Sequence, residues 1–196
     1  MRSYAAIILA AGFSRRMERF KPLLSIGGET FVDRLISTFL HNNVEVYVVV
    51  GYRAEELRAA IKNRNVVVVE NPDYNLGMFT SVQAGVRSLV SGYEALFVMP
   101  VDIPLVRPST IKLLMTASAQ HQGKIIYPVF RKRRGHPPLI PMSLASTITE
   151  WGNDCSLRDV LHSFEKLALE VSVPDSSILL DVDLSGDFNS LVERFQ

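Results

Sequence analysis

The segment LAAGFSRRMERFK, residues 9–21, follows the apolar run YAAII. It sets the small residues Ala10, Ala11 and Gly12 directly ahead of the basic side chains Arg15, Arg16, Arg19 and Lys21. Small residues let backbone N–H groups approach an anion and cradle it, and a following helical turn adds its dipole. Forked guanidinium groups and a mobile ammonium then meet the oxygens of the same anion. This is the composition of a phosphate- or nucleotide-binding loop; the alternative is a small-residue turn followed by an ordinary basic face. The segment matches neither G-x-x-x-x-G-K-[ST] nor G-x-G-x-x-G.

Four further segments carry chemistry-bearing residues. In MPVDIPLVRP, Asp102 follows a strongly apolar run, and one carboxylate in such a place suits Mg²⁺, which takes one or two protein carboxylates and fills its shell with phosphates and water. The alternative is a turn aspartate ahead of Pro104. In NLGMFTSVQAGV, Gly77 precedes a helix carrying Thr80, Ser81 and Gln83, and Gly77, Ser81 and Gly85 could approach a base or ribose. From pattern alone, a capped amphipathic helix with Met78, Val82 and Val86 in the core is the stronger reading. In RKRRGHPPLI, four consecutive basic residues precede Gly135 and His136. Such a run reads first as a solvated hairpin tip and second as a clamp for an acidic acceptor. In LLDVDLSGDFNSL, Asp181 and Asp183 alternate with apolar residues at the end of a late strand, and Asp183 could join Asp102 on one metal ion. Asp187 falls in the first turn of a following helix, where its charge complements the dipole. Cys155 belongs to no motif and reads as structural.

The elements that must position these residues alternate. Ala5–Leu9, Val44–Val50, Val66–Val69, Ala95–Pro100 and Lys124–Phe130 read as strands, and their continuous apolar runs suit strands buried on both faces. In TFVDRLISTFLHN the apolar residues Phe31, Val32, Leu35, Ile36, Phe39 and Leu40 form one helical stripe, with Thr30 as cap and Asp33 at the third helical position. Further helices are expected over Ala54–Lys62, Met78–Val90, Ser109–Gln120, Ser143–Trp151, Ser156–Phe164 and Gly186–Phe195. Strand–helix alternation predicts a doubly wound α/β fold, a mostly parallel sheet with helices on both faces. Ligands of such sheets bind beyond the carboxyl ends of the strands, where the small-residue loop and Asp102 fall.

The totals set bounds. A chain of 196 residues suits a single domain, taken here as 1–196. A net charge of +1 argues against a polyanion-binding surface, so no nucleic-acid partner is expected. One cysteine excludes an intrachain disulfide and fits a reducing compartment. No apolar stretch has the length of a membrane span or a signal-peptide core, so a cytoplasmic protein with no membrane partner is expected.

Taken in order, these segments resemble a family. LAAGFSRRMERFK is similar to the loop L-A-A-G-x-S-x-R-M-G-x-x-K of the nucleotidyltransferases related to MobA and MocA, which attach a nucleotide to molybdopterin cofactor. GMFTSVQAG resembles G-M-x-x-S-[LV]-x-x-G, VDIPLV resembles G-D-[QM]-P-[LM]-V, RRGHPPLI resembles R-R-G-H-P-[VP], and DVDLSGDF resembles D-[IV]-D-T-P-E-D-[YL]. The match runs from about residue 5 to 191, with the Ala-Ala-Gly loop and the R-R-G-H-P segment pointing to the cytidylyltransferase branch. The resemblance implies a Rossmann-like nucleotidyltransferase fold and transfer of NMP from an NTP, CTP favoured over GTP, to the phosphate of molybdopterin, with pyrophosphate released. It implies nucleotide contacts from Leu9, Ala10, Ala11, Gly12, Lys21, Gly77 and Ser81, and catalytic roles for Arg16, Lys21 and Asp102. It further implies a Mg²⁺ site at Asp102 and Asp183, acceptor contacts from Arg134, Gly135 and His136, and a molybdoenzyme or its chaperone as possible partner. The chain departs from the pattern at Glu18, at Val101 and Ile103 around Asp102, and at Leu184-Ser185-Gly186. Those departures leave open a sugar or polyol phosphate acceptor, or a nucleotide-binding module without catalysis.

Overall fold

Strand β1 (Tyr4–Leu9) is wholly buried and pairs in parallel on one side with β4 (Glu45–Val50) and on the other with β6 (Ala95–Pro100). The computed structural model describes residues 3–14, 17, 19–63, 65–152, 154–182 and 186–188. Arg15, Arg16, Glu18, Asp183 and most of the expected helix over Gly186–Phe195 lie outside these.

Between β1 and β4 run the hairpin β2 (Ser25–Ile26) and β3 (Glu29–Thr30) and helix α1 (Phe31–Leu40). Thr30 Oγ1 accepts from the Asp33 N–H and donates to Asp33 Oδ2 at 2.8 Å, so the expected cap forms. After β4 come α2 (Ala54–Ala60), β5 (Val67–Glu70) and α3 (Met78–Ser88). Then β6 leads to α4 (Pro108–Gln120), β7 (Ile125–Phe130), β8 (Arg133–Arg134), β9 (Leu139–Pro141), α5 (Ala145–Glu150), α6 (Leu157–Ser163) and β10 (Ala168–Ser172).

The sheet order is β10-β7-β9-β6-β1-β4-β5, with β8 paired to β7. Alternation along β1 divides two cores. Ala6 and Ile8 face the side covered by α1, α2 and α4, whereas Ala5, Ile7 and Leu9 face α3, α5 and α6. Helices thus cover both faces of a mostly parallel sheet.

Four expectations need correction. Met78, read as a core residue of a capped helix, is 62% exposed at the start of α3, which has no side-chain cap. The strand expected at Val66–Val69 is β5, an edge strand with Val67 48% exposed, rather than one buried on both faces. The three-residue β9, antiparallel to both β6 and β7, was not anticipated; Pro137, Pro138 and Pro141 around Leu139 and Ile140 mask it in the sequence. Asp181 does not stand at the end of a strand. The late strand is β10, and Asp181 lies in irregular chain beyond the 3₁₀ turn Ser176–Leu179.

Candidate active site

The chain proceeds from β1 outward through β4 and β5, then returns to place β6 on the other side of β1. The carboxyl ends of β1 and β6 therefore flank the point where the winding reverses, and a crevice opens beyond them between the loop after β1 and the turn after β6. A cavity of about 550 Å³ occupies that crevice. Leu9, Ala10, Ala11 and Gly12 form one wall, Pro100, Val101 and Asp102 another, and Lys21, Gly77 and Ser81 complete it.

The backbone of the first loop is divided in use. The Ala10 N–H donates to the Val49 carbonyl at 2.9 Å, so it extends the sheet and is not part of an anion cradle. The amides of Ala11 and Gly12 have no protein acceptor among the described residues. A Cβ on Gly12 would meet nothing within 4 Å, so no protein atom demands glycine there; the space it leaves belongs to the cavity. Phe13 packs its ring 5.2 Å from both Tyr52 and Tyr74, fixing the loop to its neighbours. Ser14 adopts positive φ, and its Oγ accepts the Lys21 N–H at 3.0 Å. Lys21 is largely buried, with Nζ 3.5 Å from Asp102 Oδ2.

Asp102 sits in the turn after β6. Its carbonyl accepts the Val182 N–H at 2.8 Å, which brings the 180–182 segment alongside. Asp183, the next residue but outside those described, follows directly in the chain. Among the described residues no group of three or more His, Cys, Asp or Glu gathers as a metal site. Val101 and Ile103, where the family pattern carries other residues, are both buried in the core.

Opposite, Gly77 takes φ 117°, which a side-chain-bearing residue adopts only under strain, and joins a 3₁₀ turn (Tyr74–Leu76) to α3. Asn71, buried and missed in the sequence, fixes this corner. Its Nδ2 donates to Thr80 Oγ1 and Ser81 Oγ, each at 2.9 Å, while its Oδ1 accepts the Asp73 N–H. Ser81 thus reaches the cavity with its hydroxyl oriented by one accepted bond and its own proton available. Thr80 donates back to the carbonyls of Asp73 and Gly77, and Gln83 donates to those of Ile148 and Trp151, so both serve the fold. Gly85 is likewise a packing residue, because a Cβ there would stand 2.5 Å from Ile7 Cγ2.

A second cavity, of about 630 Å³, adjoins the first and shares Leu9, Gly77, Met78 and Pro100 with it. Its walls are largely apolar, with Phe79, Val82, Val98, Pro138 and Leu161 among them. Arg134, Gly135 and His136 line it as well. Gly135 packs so closely on Ile178 that a Cβ would fall 2.5 Å from the Ile178 carbonyl oxygen. Burial pushes the His136 imidazole below its ordinary pKa, although the Asp181 charge opposes the shift. Its Nδ1 is buried with no hydrogen-bond partner among the described residues. Arg134 is not an open clamp: it donates to both Glu165 oxygens at 3.0 and 2.6 Å and to Glu170 at 2.7 Å, with its guanidinium 4.5 Å from the Tyr127 ring centre. Arg131 and Lys132, both at positive φ, form the exposed turn between β7 and β8, as the hairpin-tip reading expects. Cys155, half-buried, stands on the wall of the same cavity.

A winding reversal with a small-residue loop, a buried lysine and a carboxylate around one crevice defines a nucleotide-binding α/β protein. Residues 6–169 match the model of the MobA-like NTP transferase domain, and the chain belongs to that family of nucleotidyltransferases. It is 29% identical over 196 residues to the molybdenum cofactor cytidylyltransferase of Escherichia coli (strain K12), covering 100% of this chain and 98% of that one. Among solved structures, Rv0371c from Mycobacterium tuberculosis H37Rv superposes with a TM-score of 0.86 at 21% identity over 98% of both chains. The same protein in complex with manganese superposes with a TM-score of 0.79 at 22% identity, again over 98% of both. Among the described residues no helix is long and apolar enough to cross a membrane.

Proposed function

We propose that this nucleotidyltransferase moves CMP from CTP to the phosphate of molybdopterin cofactor and releases pyrophosphate, with Mg²⁺ as the metal. The observation that carries this reading is the pair of adjoining cavities. One is built of small residues, Lys21 and Asp102, as a triphosphate requires; the other is larger and apolar-walled, as a fused-ring acceptor requires. The full-length similarity to a molybdenum cofactor cytidylyltransferase supports CTP and this acceptor.

An oxygen of the acceptor phosphate attacks the α-phosphorus. The new P–O bond forms as the bond to the bridging oxygen breaks, and pyrophosphate leaves with the electron pair. Such a transfer needs alignment and charge compensation rather than a protein nucleophile. The amides of Ala11 and Gly12 and the ammonium of Lys21 hold the triphosphate, with Arg16 as a further cation. Ser81 and Gly77 receive the nucleoside. Carboxylates suit a hard cation, and Asp102, with Asp183 next in the chain after Val182, would hold Mg²⁺; the manganese complex of a similar protein supports a divalent ion. When bound, the ion neutralises charge on the phosphate oxygens. We further propose a single domain, a cytoplasmic location, and a molybdoenzyme or its chaperone as the receiver of the product.

Calorimetric titration with CTP, GTP, ATP and UTP, each with Mg²⁺, followed by a transfer assay with purified molybdopterin, tests this reading. CTP preference and CMP transfer are expected. GTP preference would move the chain to the guanylyl branch, and no binding by a folded protein would count against the site.

A further inference from the structure

Two residues of α6 face the larger cavity although no motif singles them out. Arg158 and His162 stand four positions apart, so they project from one side of the helix, and both line the cavity. The nearby carboxylates feel the α6 charges, His162 acting on Glu165 and Asp159 and Arg158 on Asp159, but they make their hydrogen bonds elsewhere. Glu165 gives both oxygens to Arg134, and Asp159 Oδ2 accepts from the Ser156 N–H and hydroxyl in the helix capping box. Among the described residues Arg158 forms no ion pair, and its side chain is exposed. The cavity also has a direction. Leu9, Gly77, Met78 and Pro100 are shared with the nucleotide cavity, whereas the α6 residues line the larger cavity alone. An acceptor presenting its phosphate at the shared wall therefore extends its opposite end towards α6.

We propose that Arg158, seconded by His162, binds an anionic or hydrogen-bond-accepting group at the non-reacting end of the acceptor and helps determine acceptor specificity. This rests on the transferase reading above. It also divides the labour of the basic residues: Arg134, its charge met by Glu165 and Glu170, positions the wall, and Arg158 reads the ligand.

The single cysteine supplies a reporter, since Cys155 lines the same cavity. Its rate of reaction is measured with an anionic aromatic disulfide, 5,5′-dithiobis(2-nitrobenzoate), and a neutral one, 4,4′-dithiodipyridine. In Arg158→Ala the anionic rate should fall by about tenfold, the lower end of what local fields do to encounter rates, with the neutral rate unchanged. Arg158→Lys should restore it. With CTP, Mg²⁺ and purified molybdopterin, Arg158→Ala should raise the acceptor KM by about tenfold, a loss of about 1.4 kcal/mol, while CTP affinity measured by calorimetry stays at the wild-type value. An unchanged anionic-to-neutral ratio overturns the proposal, as does an unchanged acceptor KM. If wild type transfers nothing to molybdopterin, the assigned acceptor is wrong, and the thiol measurement alone then decides on Arg158.

Discussion

The Lys21 ammonium lies 3.5 Å from Oδ2 of Asp102, an ion pair across the crevice between the chain that follows β1 and the turn that follows β6. The lysine is largely buried, so its charge needs a counterion when no triphosphate is present, and Asp102 provides one. Replacing Asp102 by Asn removes the carboxylate while keeping its size. Turnover should fall by about 10²–10³, the scale seen when one preorganised electrostatic group is lost, with the fold retained by circular dichroism. Lys21→Ala should weaken NTP affinity and slow transfer together. Full-rate turnover in Asp102→Asn sinks the metal assignment, and unchanged kinetics in Lys21→Ala sinks the phosphate role.

Two glycines of the sequence motifs should behave oppositely. Gly12→Ala meets open space inside the fold, so stability should hold within about 0.5 kcal/mol while NTP affinity drops. Gly85→Ala drives a methyl to 2.5 Å from Ile7 Cγ2 and should cost about 1–3 kcal/mol, with nucleotide affinity preserved in the folded fraction. Urea denaturation and nucleotide titration on both variants check this; Gly85→Ala with wild-type stability would place the helix elsewhere.

These glycines also show what the sequence could convey. The alternation of apolar strands and amphipathic helices made the parallel sheet, its covered faces and the loops at the strand ends readable, because burial on two faces leaves a continuous apolar run. What Gly85 does was not readable, since close helix–sheet packing and backbone approach to a ligand call for the same residue. Asn71 was hidden for a similar reason: its partners Thr80 and Ser81 are distant enough in sequence that only the turn through Gly77 joins them. Arg134 carried a misleading signal. A basic run suggests free charge, yet the carboxylates that engage Arg134 come from residues 165 and 170, beyond any local pattern.

Asn71 gives a prediction of its own. Asn71→Ala removes the donor to two buried hydroxyls and the acceptor of the Asp73 amide. Leaving such groups without partners should cost about 1–3 kcal/mol. Because Ser81 loses the bond that orients it, nucleotide affinity should fall as well, which a purely structural asparagine would not cause. Calorimetry on the folded variant separates the two effects.

Arg134 should act through the wall of the larger cavity. Arg134→Ala and Glu165→Gln break the same fork, so both should raise the acceptor KM and leave CTP affinity unchanged. Arg134→Lys should recover only part of the loss, because one ammonium cannot reproduce the paired donors. The double variant should be little worse than either single one. Independent, additive losses in a double-mutant cycle would show that Arg134 contacts the acceptor directly.

His136 sets a pH dependence whose sign follows from its burial. Desolvation holds the folded-state pKa below the ordinary value of 6.5, with the Asp181 charge working against the shift. Protonation would also add a donor in a place where Nδ1 has no acceptor among the described residues. Above pH 6.5 both folded and unfolded chains carry a neutral imidazole, and the residue contributes no pH dependence. As the pH falls through 6.5 the unfolded chain takes up the proton first, so the folded state loses stability. The loss continues until the pH passes the depressed folded-state value and then levels off. Denaturant unfolding at pH 8, 6 and 5 should show wild type losing stability on acidification relative to His136→Gln, after their difference at pH 8 is subtracted. Parallel curves for the two proteins would mean that the imidazole titrates as it does in water, and that the wall around it is open to solvent.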